Sequence, residues 1–274
     1  MDKKISIYTI GSFGRGWRDR VNKWLPNFQI NDPRNHPQSS IAHLVNADMN
    51  AAMNCKITFS YIPRGKRAGT MTYAEAGASH ARGQCLICVD KNEKKDPILS
   101  KMASHQIYLF QDAIEFLKSG EYQSKFAPIT PEEKTISIKP YQTIMMIGDH
   151  FNEKNNLMKK LSDNNKNIIL NHSLFWLQDF SKKVDLLVTN FKPGSHYDPK
   201  TLFFMGVAYA TKIPIISIEG NDFPYPPLLG LARRVFTGEK RFEILEEYLK
   251  NLKSQHIEDE ALVCYNLFKK FNSE

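Results

Sequence analysis

The residues best equipped for chemistry lie in "YIPRGKRAGTMTYAEAGASHARGQCLICV", residues 61–89. An apolar strand pattern ends at "YIP". A glycine-bearing loop follows, and a helix pattern opens with one acid, Glu75, set among Ala and Gly. A lone carboxylate where a strand hands over to a helix sits at the edge where α/β proteins gather reactive groups. Small neighbours admit a ligand closely. Glu75 also reads as a solvated acid in a first helical turn, where the helix dipole favours negative charge. A second stretch is "GSFGRGWRDR", residues 11–20. Its glycines free the backbone to approach a ligand, and the helix behind it offers N–H groups to an anion. Arg15, Arg18 and Arg20 can add charge-assisted contacts. The spacing is not that of the dinucleotide-binding G-x-G-x-x-G. "DPRNHP", residues 32–37, brings Arg34 and His36 to the same edge, and reads more simply as a proline-bounded turn. "NDFPYPPLLG", residues 221–230, covers a ligand or packs as a loop. Cys85 and Cys88 form a C-x-x-C inside a strand pattern. Residues three apart on a strand point to opposite faces, so the pair neither shares a metal nor closes a disulfide. Both are expected in the core. No histidines carry a spacing such as H-E-x-x-H, and neither a metal site nor a cofactor is expected.

Alternating strands and helices must position these groups. Strand patterns occupy 5–11, 28–32, 56–62, 84–89 and 107–110. Helical spacing marks 14–25, 39–54 with a Ser cap, 72–82 and 112–120. That order predicts a parallel, doubly wound sheet. A stretch with three prolines and no sustained period, residues 121–140, looks like a linker. Beyond it the pattern restarts. "QTIMMIG" mirrors "ISIYTIG", "VDLLVTNF" mirrors "CKITFSYI", and 193–218 mirrors the loop, helix and strand around Glu75. The chain therefore reads as an internal repeat of one α/β unit. Domains are expected at 1–125 and 141–274, joined by 126–140, with a helical tail over 239–271.

Overlaying the halves separates scaffold from chemistry. Gly11 matches Gly148 and Gly77 matches Gly206, but Tyr8 becomes Met145, Glu75 becomes Phe204 and Asp48 becomes Leu177. Three polar-to-apolar replacements at ligand-side positions point to one live site and one dead one.

On these residues the first half resembles the nucleoside 2-deoxyribosyltransferase family, including its 2'-deoxynucleoside 5'-phosphate N-hydrolase branch. The matching features are a first strand with Tyr before Gly ("IYTIG", Tyr8), an Asp on the helix before the third strand ("NADM", Asp48), and a Gly-Thr loop leading to a Glu-x-Gly-x-A helix ("GTMTYAEAGASHA", Glu75). The resemblance covers roughly residues 4–120 well and 142–218 weakly. It implies two tandem Rossmann/flavodoxin-like domains, the second degenerate. It also implies cleavage of an N-glycosidic bond in a nucleotide or nucleoside. Glu75 is the implied nucleophile, Tyr8 orients it, and Asp48 binds a sugar hydroxyl or passes a proton to the leaving base. The loop after the first strand is similar to the branch's Gly-Ser-x-Arg-Gly-Gly-Arg phosphate loop. Gly11, Ser12, Phe13, Arg15 and Arg18 are therefore expected to hold a 5'-phosphate, with Gly69 and Thr70 completing the substrate contacts and Trp17 intruding. The family's acid before Gly-Thr is missing from "KRAGT", and Lys56 stands where its third strand usually begins with Asp. Hydrolysis is therefore expected over transfer. Family members usually dimerise so that a neighbour completes the pocket, and a homodimer or an intrachain pseudo-dimer is implied.

Composition bounds the rest. Apolar content of 42% and aromatic content of 11% describe a globular chain. No apolar run reaches the ~20 residues of a membrane span, and the N-terminus shows no signal-peptide pattern, so a cytoplasmic location without membrane partners is expected. Four cysteines do not make a disulfide scaffold. The formal charge is +8, and residues 1–135 carry 19 Lys and Arg against 13 Asp and Glu, while 136–274 carry 18 against 16. A basic balance suits phosphate-bearing ligands or nucleic acid. No compact arginine–aromatic stripe of the kind single-strand binders use is present, so a small nucleotide is expected ahead of nucleic acid. Two alternatives stay open: a non-catalytic nucleotide-binding or sensing protein that kept the pocket, and base removal acting on nucleic acid.

Overall fold

The computed structural model describes residues 4–12, 14, 16–37, 39–129, 141–148, 167–170, 177, 179–194, 196–220, 226–238 and 240–251. The described residues form two five-stranded, all-parallel sheets flanked by helices. The first contains β1 (Ser6–Gly11), β2 (Gln29–Asn31), β3 (Ile57–Ile62), β4 (Cys85–Asp90) and β5 (His105–Ile107) in the order β2-β1-β3-β4-β5. Its helices are α1 (Trp17–Trp24), α2 (Ile41–Asn54), α3 (Thr70–Ala81), α4 (Pro97–Met102) and α5 (Phe110–Ser119). The second sheet repeats the order as β7-β6-β8-β9-β10, from β6 (Thr143–Gly148), β7 (Asn167–Leu170), β8 (Leu186–Phe191), β9 (Ile215–Glu219) and β10 (Arg234–Phe236). Helices α6 (Phe180–Lys183), α7 (Pro199–Ala210), α8 (Pro226–Leu231) and α9 (Arg241–Asn251) accompany it. The expected helix over 153–163 lies outside the described residues.

β3 and β4 are buried at every position, and their mostly apolar sequences carry Thr58, Ser60 and Asp90 into the interior with them. One face of the first sheet presents Ile7, Ile57, Phe59, Tyr61, Ile87 and Val89 to α1 and α5. Trp17 joins that core and packs against Phe59 and Tyr61, so it does not intrude on the loop's outer side. Cys85 faces this core, whereas Cys88 lies on the other face near Ser60. The described cysteines are free thiols, and burial pushes Cys85 up to about 11 and Cys88 up to about 12.

The opposite face of the sheet carries the site helices. The Ser40 hydroxyl caps α2 by accepting from the His43 N–H. α3 is buried from Thr72 through Ala81, and its Ala, Gly and Ser content lets backbones approach closely around it. The first compact unit comprises residues 1–130 and Leu202–Ala210, and the second comprises 131–201 and 211–274. Within the first unit, α3 and the Leu202–Ala210 segment of α7 cross reciprocally. A Cβ on Gly77 would overlap the Phe203 carbonyl, and one on Gly206 would overlap the Ala74 carbonyl.

Two local differences from the sequence reading have simple causes. The last strand of the first sheet is His105–Ile107, not 107–110, because the Phe110 ring already begins α5 and turns into the core. Residues 126–129, expected to open the linker, instead pack on the end of α3. The Ile129 N–H donates to the Ala81 carbonyl at 2.7 Å, and the Phe126 ring lies 4.5 Å from His80.

Candidate functional site

In a doubly wound sheet of this order, ligands bind at the carboxyl ends of the strands, at the crevice beside the first strand. β1 pairs with β2 on one side and β3 on the other, and the chemistry gathers there. Tyr8, on the α2–α3 face of β1, donates its hydroxyl hydrogen to Glu75 Oε1 at 2.7 Å. The two residues are 67 positions apart, and α3 follows β3 directly, so the sheet register closes the distance. Glu75 is only 5% exposed. Burial, reinforced by the charge of Asp48, pushes its carboxyl up to about 8, while the Tyr8 hydrogen bond and the Arg18 charge pull the other way. Tyr8 itself is held well above its ordinary value, first by burial and then by the charge of Glu75.

Asp48 projects from α2 into the same pocket, within hydrogen-bonding reach of the Tyr8 hydroxyl. Burial raises its pKa, against the opposing pull of His36. His36 lies where the chain leaves the 3₁₀ turn Pro33–Asn35. Its Nδ1 is 2.6 Å from Asp48 Oδ1 and its Nε2 is 2.9 Å from Asn31 Oδ1. Both ring nitrogens face side-chain oxygens. The ring also lies nearly parallel to Tyr8, with centroids 5.8 Å apart. The structure thus joins Tyr8, Glu75 and Asp48, and adds His36 and Asn31. The turn "DPRNHP" carried a signal for His36 only in its place at the sheet edge, and Asn31 carried none.

The glycine loop is built from underneath. Gly11 takes a φ of +124° at the end of β1, and a Cβ there would meet the Tyr61 backbone at 2.5 Å. The Ser12 carbonyl accepts from Trp17 Nε1 at 3.0 Å and from Arg18 Nη1 at 3.1 Å. Arg18 Nη2 donates to the Gly11 carbonyl at 3.2 Å, and its Nε lies 3.8 Å from Asp32. Arg18, expected to reach outward to a phosphate, is 2% exposed and braces the loop from inside, with its charge felt by Glu75. Asp32 also takes Arg34, which reaches Asp19 at 2.6 Å. Gly69 caps α3 beside the Gly11 carbonyl, and Thr70 opens the helix, so the two loops meet. Phe13 and Arg15 lie outside the described residues. In the second repeat the matching Met145, Leu177 and Phe204 are all buried apolar side chains.

Neither a known family model nor a curated protein matches the chain. Solved structures similar to it include a probable two-component system response regulator/GGDEF domain protein, at 9% identity over 94% of this chain and 99% of that one, with a TM-score of 0.30. A putative sugar binding protein from Salmonella typhimurium LT2 shares 8% identity over 95% and 88%, with a TM-score of 0.27. A ketoreductase domain from the bacillaene assembly line shares 10% over 100% and 79%, with a TM-score of 0.27. Likenesses of this strength say nothing of activity. Among the described residues, no helix is long and apolar enough to cross a membrane.

Proposed function

We propose that the first unit cleaves the N-glycosidic bond of a nucleotide or nucleoside, with hydrolysis favoured over base exchange. The observation that carries this reading is the 2.7 Å hydrogen bond from Tyr8 to Glu75, with Asp48 and His36 beside it. Breaking the bond leaves positive charge on the sugar carbon, and a buried carboxylate answers that charge strongly because little water screens it. Glu75 Oε attacks the sugar carbon and forms a glycosyl ester as the carbon–nitrogen bond breaks, and the bond's electron pair leaves with the base. The Asp48–His36 pair supplies the proton that neutralises the leaving base. Water then attacks the sugar carbon, releases Glu75 and returns its proton to that pair. Ser12, after the end of β1, and the start of α1 hold the substrate's 5'-phosphate through backbone N–H groups.

A second reading is a nucleotide-binding protein without turnover. What favours it is the burial that keeps Glu75 protonated near neutral pH, since a protonated carboxyl is no nucleophile. One experiment separates the two. The protein is incubated with nucleosides, nucleoside 5'-monophosphates and NAD, and free base is measured. Release that vanishes in Glu75→Ala supports the enzyme. Saturable binding without release supports the second reading.

A further inference from the structure

The loops that follow β3, β4 and β5 leave the sheet side by side. Ile62 pairs with Asp90, and Val89 pairs with Ile107, so residues 63, 91 and 108 start along one edge. Arg64, Lys66, Arg67 and Lys94 are exposed on the first two of these loops, and Arg64 pairs with the exposed Glu93 at 3.3 Å, which leaves Lys66, Arg67 and Lys94 as the cations of the row. The loops are pinned together. Asn92 Oδ1 accepts from the Gly65 N–H at 2.7 Å, and Asn92 Nδ2 donates to the Lys66 carbonyl at 2.9 Å. Lys95 folds back onto the Asp90 and Asn92 carbonyls and sets its ammonium 4.2 Å from the centroid of the Tyr108 ring. Tyr108 is 48% exposed and Leu109 is 45% exposed, so the third loop ends the row in an open aromatic surface. Cations about thirty residues apart in sequence thus line up beside an aromatic only once the sheet forms.

We infer that this edge is a track for single-stranded nucleic acid, with the target nucleotide at Glu75 and the neighbouring phosphates on the loops after β3 and β4. This rests on the glycosidase reading for what happens at Glu75, but the track itself does not. A mononucleotide would place its one phosphate on the Gly11 loop after β1. The cations after β3 and β4 lie further along the edge and are left for other phosphates. From β1 to β5 is three strand spacings, about 14 Å. That is a reach of about four nucleotides at the ~3.4 Å rise of a stacked strand. An exposed tyrosine among lysines is the stacking platform that sequence-tolerant single-strand binders use. A paired base could not enter, because Glu75 is buried on α3 against Tyr8 of β1, and a base must leave its stack to reach such a group.

The test uses the full chain and a fluorescein-labelled single-stranded 12-mer, followed by anisotropy. Binding is expected at about 50 mM salt and should weaken steeply toward about 200 mM. Tyr108→Ala is expected to weaken it about ten-fold or more, and Tyr108→Phe to restore it, since the ring and not the hydroxyl stacks. Combining Lys66→Ala, Arg67→Ala and Lys94→Ala is expected to lower the log–log salt slope by about 2, at ~0.7 per lost phosphate contact on a single strand. Unchanged thermal melting verifies that these surface variants fold. No binding of the 12-mer, or binding indifferent to both sets of changes, overturns the track even if mononucleotides are cleaved. Binding with these dependences upholds it even if no base is released from any substrate, in which case only the glycosidase reading fails.

Discussion

Replacing Glu75 by Gln should make the protein more stable, by an amount set by pH. Burial and the charge of Asp48 push the Glu75 carboxyl from 4.5 to about 8 in the folded state. Between those values the folded chain holds a proton that the unfolded chain has released. The folded state binds more protons, so stability falls as pH rises through this window. Each pH unit of difference is worth about 1.36 kcal/mol. The loss is therefore negligible near pH 4.5, about 3 kcal/mol at pH 7 and close to 5 kcal/mol above pH 9. Gln keeps the shape and an oxygen able to accept from Tyr8, but it never ionises. Urea unfolding of wild type and Glu75→Gln at pH 4.5, 6, 7, 8 and 9 reads the difference directly. Glu75→Gln should match wild type at pH 4.5 and lead it progressively thereafter. A gap that stays constant with pH would refute the claim that desolvation dominates this site. Against a whole stability of about 5–15 kcal/mol, the cost of holding this carboxylate is a large share of the total.

Three further outcomes follow from the same geometry. Tyr8→Phe removes the hydrogen bond that favours ionised Glu75, so the acidic limb of kcat/KM for base release should move about one unit to higher pH. A limb that stays put or moves lower contradicts the assigned partner. His36→Gln should lower base release about 100-fold for a poor leaving base, and much less for one that departs without protonation, as expected of a proton donor. Gly206→Ala should destabilise the protein by about 1–3 kcal/mol in urea unfolding, because overlap with the Ala74 carbonyl outweighs the ~1 kcal/mol that alanine gains in a helix.

The alternation of elements was legible because each rests on local signals. Ser40 announces α2 by its cap, and β4 announces itself by its apolar run from Cys85 to Val89. The pairing of Tyr8 with Glu75 was also within reach, since Tyr8 lies on β1 and Glu75 on the helix that follows the neighbouring strand β3. His36 was not, because a proline-bounded turn does not say where its side chain points; only the packing of α2 delivers Asp48 to it. Arg18 misled for the opposite reason. An arginine after a glycine loop suggests an outward anion contact, but Asp32, 14 residues on, draws it inside. α4 is too short to show a helical period, although Asp96 before Pro97 is a cap with a proline at the first turn. The apolar run at 107–110 hid a change from strand to helix that only the burial of Phe110 decides.

The glycine crossing of α3 and α7 bears on how this gene can be cut. The compact unit that holds Glu75 includes Leu202–Ala210, so it is not a continuous stretch of chain. A fragment ending near residue 130 would leave the site helix without the backbone surface that Gly77 and Ala74 are shaped to meet. The second repeat carries Met145, Leu177 and Phe204 where the first carries Tyr8, Asp48 and Glu75, yet its chain supplies the helix that meets α3. A cut near residue 130 therefore divides a compact unit instead of parting two, and the stretch that holds Glu75 is expected to need chain from beyond that point to be expressed intact.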